Sequence, residues 1–126
     1  MKKIIHTHDA PAPIGPYSQA VRIANTVYTS GQIAIDPKTG KLIEGSISDE
    51  THQVMRNMQA VLKAAGLEFS QVVKSTIFIT NMDDFGAINE AYGSYFDPET
   101  APARETVQVS RLPKDVRVEI SMIAAD

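Results

Sequence analysis

Hydrophobic residues at helical spacing mark the clearest elements of the chain. One stripe recurs at i, i+4, i+7, i+8 and i+11, and a second follows at i, i+3, i+7 and i+11. The first predicts a helix with Ser48 as its N-cap and Gly66 at its end. The second predicts a helix that Asn81 caps. The two stripes are Val54, Met58, Val61, Leu62 and Ala65, then Phe85, Ile88, Tyr92 and Phe96.

The remaining hydrophobic positions alternate with polar ones or run continuously, as in β-strands. Residues 17–35 predict a hairpin around the turn at Ala24 and Asn25. Single strands are expected at residues 2–6, 72–80, 104–110 and 116–124. The order is then β-β-β-α-β-α-β-β, and two one-sided helices against one sheet make an α+β two-layer fold. Because no repeat or linker interrupts it, residues 1–126 are expected to form one domain.

The sheet face away from the helices is predicted to be partly apolar. Its expected outward positions are Val27 or Tyr28, Ile33, Ile77 and Ile123. An uncovered apolar sheet face is typical of a surface that another subunit covers. The pattern therefore predicts an oligomer.

Composition narrows the classes of function. The net charge is −3 and no basic cluster is interleaved with aromatic residues, so neither nucleic acid nor an anionic membrane is an expected partner. The chain has no cysteine, which excludes disulfides, thiolate nucleophiles and cysteine-ligated metals. No signal peptide or membrane span is recognisable, and the expected location is cytoplasmic.

Two charged residues are the main candidates for chemistry. Arg104 opens a strand face that continues with Thr106, and its planar guanidinium suits a carboxylate. Glu119 lies mid-strand, opposite the apolar core positions, and its pKa should rise if another subunit covers that face. A carboxylate of raised pKa can move a proton or position water. Solvated surface charges are the alternative for both residues.

Other polar residues offer weaker signals. Tyr17 and the turn containing Ser30 and Gly31 supply hydroxyl and backbone donors. His6 and His8 can share a strand face, but without a third ligand they make a weak metal site, so no metal is expected. Residue types alone therefore indicate a small-anion pocket with one cation, one carboxylate and a few hydroxyls.

The chain as a whole resembles the Rid (reactive intermediate deaminase) family, also called YjgF or L-PSP. The resemblance is carried by APAPIGPYSQAV near the start, TSGQI at residues 29–33, and AAGLEFSQVVKSTIFITNMDDFGAINEAYGSYF in the middle. PAR, RLPKD and VEI follow at the end, with the arginine and glutamate at the family spacing. These segments span nearly the whole sequence.

This resemblance implies a chorismate-mutase-like fold with a mixed sheet, two helices on one face, and a homotrimer around a barrel-like core. The sites would lie in clefts between subunits. By position, Arg104 matches the arginine that binds the substrate carboxylate, Glu119 the glutamate that handles water, and Tyr17 the site tyrosine. Ser30, Gly31 and Asn89 match positions that would contact the ligand or support the site. Thr106 stands where the family often has cysteine, and it still offers a hydroxyl and a backbone donor on the Arg104 face.

The implied activity is hydrolysis of enamine and imine intermediates, such as 2-aminoacrylate and 2-aminocrotonate, to 2-keto acids and ammonia. Such intermediates are released by pyridoxal-phosphate-dependent dehydratases. No cofactor is expected, because an imine carbon is electrophilic enough for water to attack it. One departure from the family pattern is Glu105, a carboxylate beside the substrate-binding arginine, and strand alternation is expected to aim it away from Arg104.

Two other functions compete with the deaminase. A non-catalytic module that binds 2-keto acids and regulates other proteins would use the same cleft and the same Arg104. An endoribonuclease has less support, because the net charge is −3 and no histidine pair lies on the polar face.

Overall fold

The computed structural model describes all residues 1–126 and contains six strands and two α-helices in the predicted order. Short 3-10 turns precede β4, α2 and β6. The strands are β1 (Lys3–Ile5), β2 (Ala20–Ile23), β3 (Thr26–Thr29), β4 (Val72–Ile79), β5 (Ala103–Gln108) and β6 (Val118–Ala125). The helices are α1 (Ile47–Ala64) and α2 (Phe85–Gly93).

The strands form one mixed sheet in the order β1-β2-β3-β6-β4-β5. Every neighbouring pair is antiparallel except β4 and β5, which are parallel. The two helices pack on this sheet over a core cluster of 21 buried residues. The predicted α+β two-layer fold is therefore confirmed. Neither helix combines the length and the apolar character that a membrane crossing requires.

The N-cap of helix α1 lies two residues earlier than predicted. The N-cap is Ser46 rather than Ser48: its hydroxyl accepts a hydrogen bond from the Asp49 amide, and the Asp49 carboxylate accepts one from the Ser46 amide. This reciprocal box satisfies two amides that a Ser48 cap would leave unpaired. The helix ends where predicted, because Gly66 has a φ of +76°, in the left-handed region that favours glycine.

Of the positions predicted for the open face, Ile123 is correct, as is Tyr28 from the alternatives Val27 and Tyr28, and Ile77 is wrong. Tyr28 is 44% exposed and its partner Ile123 is half-buried. Val27 and Ile77 instead lie fully in the core under the helices. The reason is pairing parity, since Val27 pairs with buried Ala124 and paired residues share a face. Ile33 is also buried, in a small second cluster against Leu112 and Val116. The oligomer itself stays a prediction.

Two helical residues differ from their expected environments. His52 lies off the apolar stripe of its helix, yet it is half-buried, and its Nδ1 lies 2.8 Å from the hydroxyl of Tyr95. Phe85, expected in the core, is 37% exposed at the first position of α2. His52 is covered by Tyr95, which is distant along the chain, and Phe85 lies at the end of its helix. Helical periodicity predicts neither effect.

A buried carboxylate ties α1 to β6. Glu50 is 8% exposed, and its Oε2 accepts hydrogen bonds from the amides of Arg117, at 2.8 Å, and Val118, at 3.3 Å. Its Oε1 accepts from Arg117 Nε at 2.8 Å. The carboxylate therefore satisfies the start of β6, the strand at the centre of the sheet.

Replacing Glu50 by alanine is expected to lower the free energy of unfolding by about 2–4 kcal/mol, because two buried amides and one guanidinium lose their acceptor. Urea unfolding at one fixed protein concentration measures this change. The exposed helical variant Glu90→Ala serves as control and should stay within about 0.5 kcal/mol of the parent. A similar loss in both variants would contradict the role given to Glu50.

Candidate functional site

The predicted site residues fall into two separate clusters in one chain. The first surrounds a cavity of about 320 Å³ and contains four of them, Tyr17, Ser30, Gly31 and Glu119. The other cavity-lining residues are apolar and were not predicted: Ile14, Ile33 and Pro113. Strand alternation pointed to Ile33 as an open-face position. No periodic pattern points to Ile14 and Pro113, which lie outside the strands and α-helices and reach the cavity only through tertiary packing.

Glu119 reaches the cavity from the open face of β6, as predicted. Its neighbours Val118 and Ile120 are fully buried on the other face. The backbone of Gln32 fixes the loop beside it. The Gln32 backbone N–H donates to the Ile120 carbonyl at 2.8 Å, and the Gln32 backbone carbonyl accepts from the Ile120 N–H at 3.2 Å. This bridge brings Gly31 against the glutamate.

Gly31 is required by its distance from the carboxylate. A Cβ at this position would lie 2.8 Å from Glu119 Cδ and 2.9 Å from Cγ, closer than side chains tolerate. The absent side chain therefore lets the peptide of Gly31 and the Glu119 carboxylate approach each other at the cavity wall. A side chain at position 31 would therefore displace the Glu119 side chain from this position.

Burial raises the pKa of Glu119 above its ordinary value of 4.5. Neither Glu119 nor Arg104 takes part in any of the four ion pairs of the chain. A half-buried carboxylate without a cation nearby holds its proton more readily than a solvated one. Such a group suits the exchange of a proton with water or with a leaving amine.

The outer wall of the cavity is formed by an irregular segment that Gln19 holds in place. Gln19 is 2% exposed; its Oε1 accepts from the Thr7 amide at 2.8 Å, and its Nε2 donates to the carbonyl of Pro11 at 2.9 Å. Tyr17 completes the wall, with its hydroxyl accepting from the Ile14 amide at 3.2 Å. The role of Gln19 was missed from the sequence, where it follows the proline-rich segment as an ordinary polar residue.

The second cluster surrounds Arg104. Its Nη1 donates to Asn89 Oδ1 at 2.7 Å, and its Cζ lies 5.1 Å from the ring centroid of Tyr92 and 5.8 Å from that of Phe85. Thr106 lies on the same face of β5, and its buried hydroxyl has no hydrogen-bond partner. An unpartnered buried hydroxyl beside a cation is an arrangement that an anionic ligand can complete.

Arg104 lies on the face of β5 that is turned toward α2. The register explains this: Arg104 pairs with Ser75, which is fully buried on the helix side of β4. Val107 correspondingly lies on the open face, 42% exposed.

Arg104 and Glu119 cannot contact the same small ligand within one chain. They lie on β5 and β6, with β4 between them, and their side chains point to opposite faces of the sheet. Two strand spacings amount to about 10 Å even before this difference in direction is counted. Each cluster thus contains only some of the predicted site residues.

Glu105 points away from Arg104, as predicted. One of its carboxylate oxygens lies 2.8 Å from Lys74 Nζ, and the other accepts from the Thr76 hydroxyl at 2.6 Å. Both contacts lower the pKa of Glu105. Its charge is therefore compensated on the open face, away from the guanidinium.

His6 and His8 contact each other edge to face, with ring centroids 4.9 Å apart. No group of three or more histidine, cysteine, aspartate or glutamate side chains is arranged to hold a metal ion.

Comparison with known proteins gives consistent matches over the whole chain. The family model described as "Endoribonuclease L-PSP" matches residues 7–126. A RutC family protein of Pyrococcus horikoshii is 52% identical over 124 residues, covering 98% of each chain. The mouse 2-iminobutanoate/2-iminopropanoate deaminase is 48% identical over 124 residues, covering 98% of this chain and 91% of the mouse protein. The crystal structure of E. coli TdcF with bound serine superposes with a TM-score of 0.92 at 45% identity, covering 98% of each chain.

The raised pKa of Glu119 predicts a pH-dependent cost in stability. The folded state favours the protonated carboxyl. The contribution of Glu119 to the free energy of unfolding is therefore fully present below pH 4.5 and is lost as the pH rises through the folded-state pKa. Glu119→Gln removes the titrating group, so its stability relative to the parent should increase between pH 4 and pH 7. Urea unfolding at both pH values measures this, with the exposed Glu44→Gln as control. A pH-independent difference would contradict the burial argument.

Proposed function

The chain belongs to the Endoribonuclease L-PSP family, and we propose that it is a hydrolytic deaminase of reactive enamine and imine intermediates. The products would be 2-keto acids and ammonia. The deaminase name of the mouse relative, at 48% identity, supports this activity. The observation that carries the proposal is Glu119, a carboxylate of raised pKa that faces a small cavity without any cation nearby.

We propose further that each active site is shared by two chains of a homotrimer. The Glu119 cavity of one chain would face the Arg104 cluster of its neighbour. Two observations support this arrangement: the two clusters lie on opposite faces of one sheet, and the open face exposes Tyr28 and Val107. A second chain would cover those apolar side chains and bring the guanidinium to the carboxylate.

In the proposed reaction the enamine first tautomerises to the imine. Arg104 binds the substrate carboxylate through parallel N–H donors, with the Thr106 hydroxyl as a further donor. Glu119 accepts a proton from water as its oxygen bonds to the imine carbon. The same carboxyl returns that proton to the nitrogen, which gives a carbinolamine. It then transfers the hydroxyl proton of the carbinolamine to the nitrogen as the C=O bond forms and the C–N bond breaks, so that ammonia and the 2-keto acid are released. Tyr17 and Ile14 close the cavity over the reacting carbon.

The substrate would come from a pyridoxal-phosphate-dependent dehydratase. Elimination of water from serine or threonine gives 2-aminoacrylate or 2-aminocrotonate, which are the enamines of pyruvate and 2-oxobutanoate. Both carry the single carboxylate that Arg104 would bind. Both are small enough to fit a cavity of about 320 Å³.

A non-catalytic binding module is the second candidate. The serine bound to E. coli TdcF, a protein 45% identical to this chain, favours a small amino acid or keto acid as ligand, with or without turnover. The endoribonuclease in the family description has less support. The cavity has one carboxylate and no histidine, and the net charge of −3 provides no attraction for a polyanion.

The purified protein is expected to accelerate 2-oxobutanoate release when a threonine dehydratase acts on threonine. Arg104→Ala should reduce this acceleration about 100-fold, because the substrate carboxylate loses a charge-assisted pair. Arg56→Ala, at an exposed arginine of α1, is the matched control and should behave like the parent. Binding of 2-oxobutanoate without acceleration would favour the binding module, and full activity of Arg104→Ala would contradict the role of the arginine.

Co-expression of Arg104→Ala and Glu119→Gln chains is expected to restore activity that neither variant has alone. Random assembly of the two chains into trimers places about a quarter of the sites between an intact Arg104 and an intact Glu119. The co-expressed mixture should therefore reach about a quarter of the parent's rate in the same assay. A mixture no more active than the separate variants would show that the two clusters do not form one site.

A further inference from the structure

The guanidinium of Arg104 is held by more than its hydrogen bond to Asn89. Its carbon lies over two aromatic rings of α2, at 5.1 Å from the centroid of Tyr92 and 5.8 Å from that of Phe85. Rings contact the flat face of a guanidinium, whereas a carboxylate binds in the plane, along its N–H edge. The two kinds of contact therefore do not compete for the same part of the group.

Tyr92 is itself fixed on several sides. It is 4% exposed, and its hydroxyl donates to Ser75 Oγ at 2.8 Å. Ser75 is fully buried on β4 and is the register partner of Arg104 on β5. The ring of Phe96 packs against Tyr92 with centroids 4.8 Å apart. Three elements, α2, β4 and β5, thus meet at this one tyrosine ring.

We propose that Tyr92 is a positioning residue that orients Arg104 for carboxylate binding, with Phe85 as a second, partly exposed ring. This inference rests on the proposed function, since it assigns Arg104 a carboxylate ligand. Arginine has many rotamers, and holding it in one of them before the ligand arrives removes a cost that binding would otherwise bear. The only hydrogen bond of the side chain uses Nη1, so the other N–H groups remain for the ligand.

The hydroxyl and the ring of Tyr92 have separable roles. A buried tyrosine hydroxyl needs a partner, and Ser75 provides it within an otherwise apolar layer. Loss of the hydroxyl should therefore lower stability without moving the ring. Loss of the ring should release Arg104. The conservative variant Tyr92→Phe and the disruptive variant Tyr92→Leu distinguish these two effects.

The test measures the Kd of 2-oxobutanoate by calorimetry, together with kcat and KM in the dehydratase assay. Tyr92→Leu should raise Kd and KM about tenfold, which is the range of one cation–π contact, and leave kcat within about threefold. Tyr92→Phe should keep both within about threefold of the parent. Tyr95→Leu is the matched control, because Tyr95 packs against Phe69 and does not contact Arg104.

Unchanged Kd in Tyr92→Leu, or an equal increase in Tyr95→Leu, would overturn the inference while leaving the proposed function intact. If Tyr92→Leu does not fold, Phe85→Leu decides: its ring is 37% exposed, and its loss should raise Kd about threefold. An unchanged Kd in that variant then overturns the inference. If the parent binds no 2-oxobutanoate and accelerates no release, the proposed function fails and the inference fails with it.

Discussion

The pairing register of β6 is the constraint on which the rest of the structure depends. Val118, Ile120, Met122 and Ala124 are each at most 2% exposed, so the residues between them must face the other side of the sheet. That alternation places Glu119 on the open face. β6 pairs with β4, and β4 pairs with β5, so the faces of all three strands are fixed relative to one another. Because Arg104 on β5 pairs with Ser75 on β4, the arginine faces α2. One register thus decides the positions of both candidate residues.

The charges around this sheet are arranged so that the candidate residues remain unpaired. Glu50 is satisfied by Arg117, and Glu105 by Lys74 and Thr76. Arg104 bonds only to a neutral amide and lies against aromatic rings, and Glu119 lies near a glycine. An ion pair within the chain would neutralise either group before a ligand arrived. Within the chain, Arg104 therefore remains a cation and Glu119 a carboxyl group that no internal ion pair neutralises.

The elements with strong periodicity were predictable, and the errors have identifiable causes. The order of strands and helices followed from apolar spacing, and Glu119 followed from alternation within its own strand. The cap of α1 was misplaced because the sequence offers both Ser46 and Ser48, and only the reciprocal bond with Asp49 decides between them. Ile77 was assigned to the wrong face, and the choice between Val27 and Tyr28 stayed open, because a strand with apolar residues on both sides does not reveal which of them face the core.

By itself the sequence determined the elements, their order, the two-layer class and the residue types available for chemistry, since these depend on local spacing and side-chain identity. The tertiary structure decided which residues meet. It joined Tyr17, Ser30, Gly31 and Glu119 around one cavity and placed Arg104, Asn89 and Tyr92 on the other side of the sheet. The physical reason is that strand pairing and loop packing depend on contacts between residues far apart along the chain, and no local pattern records them.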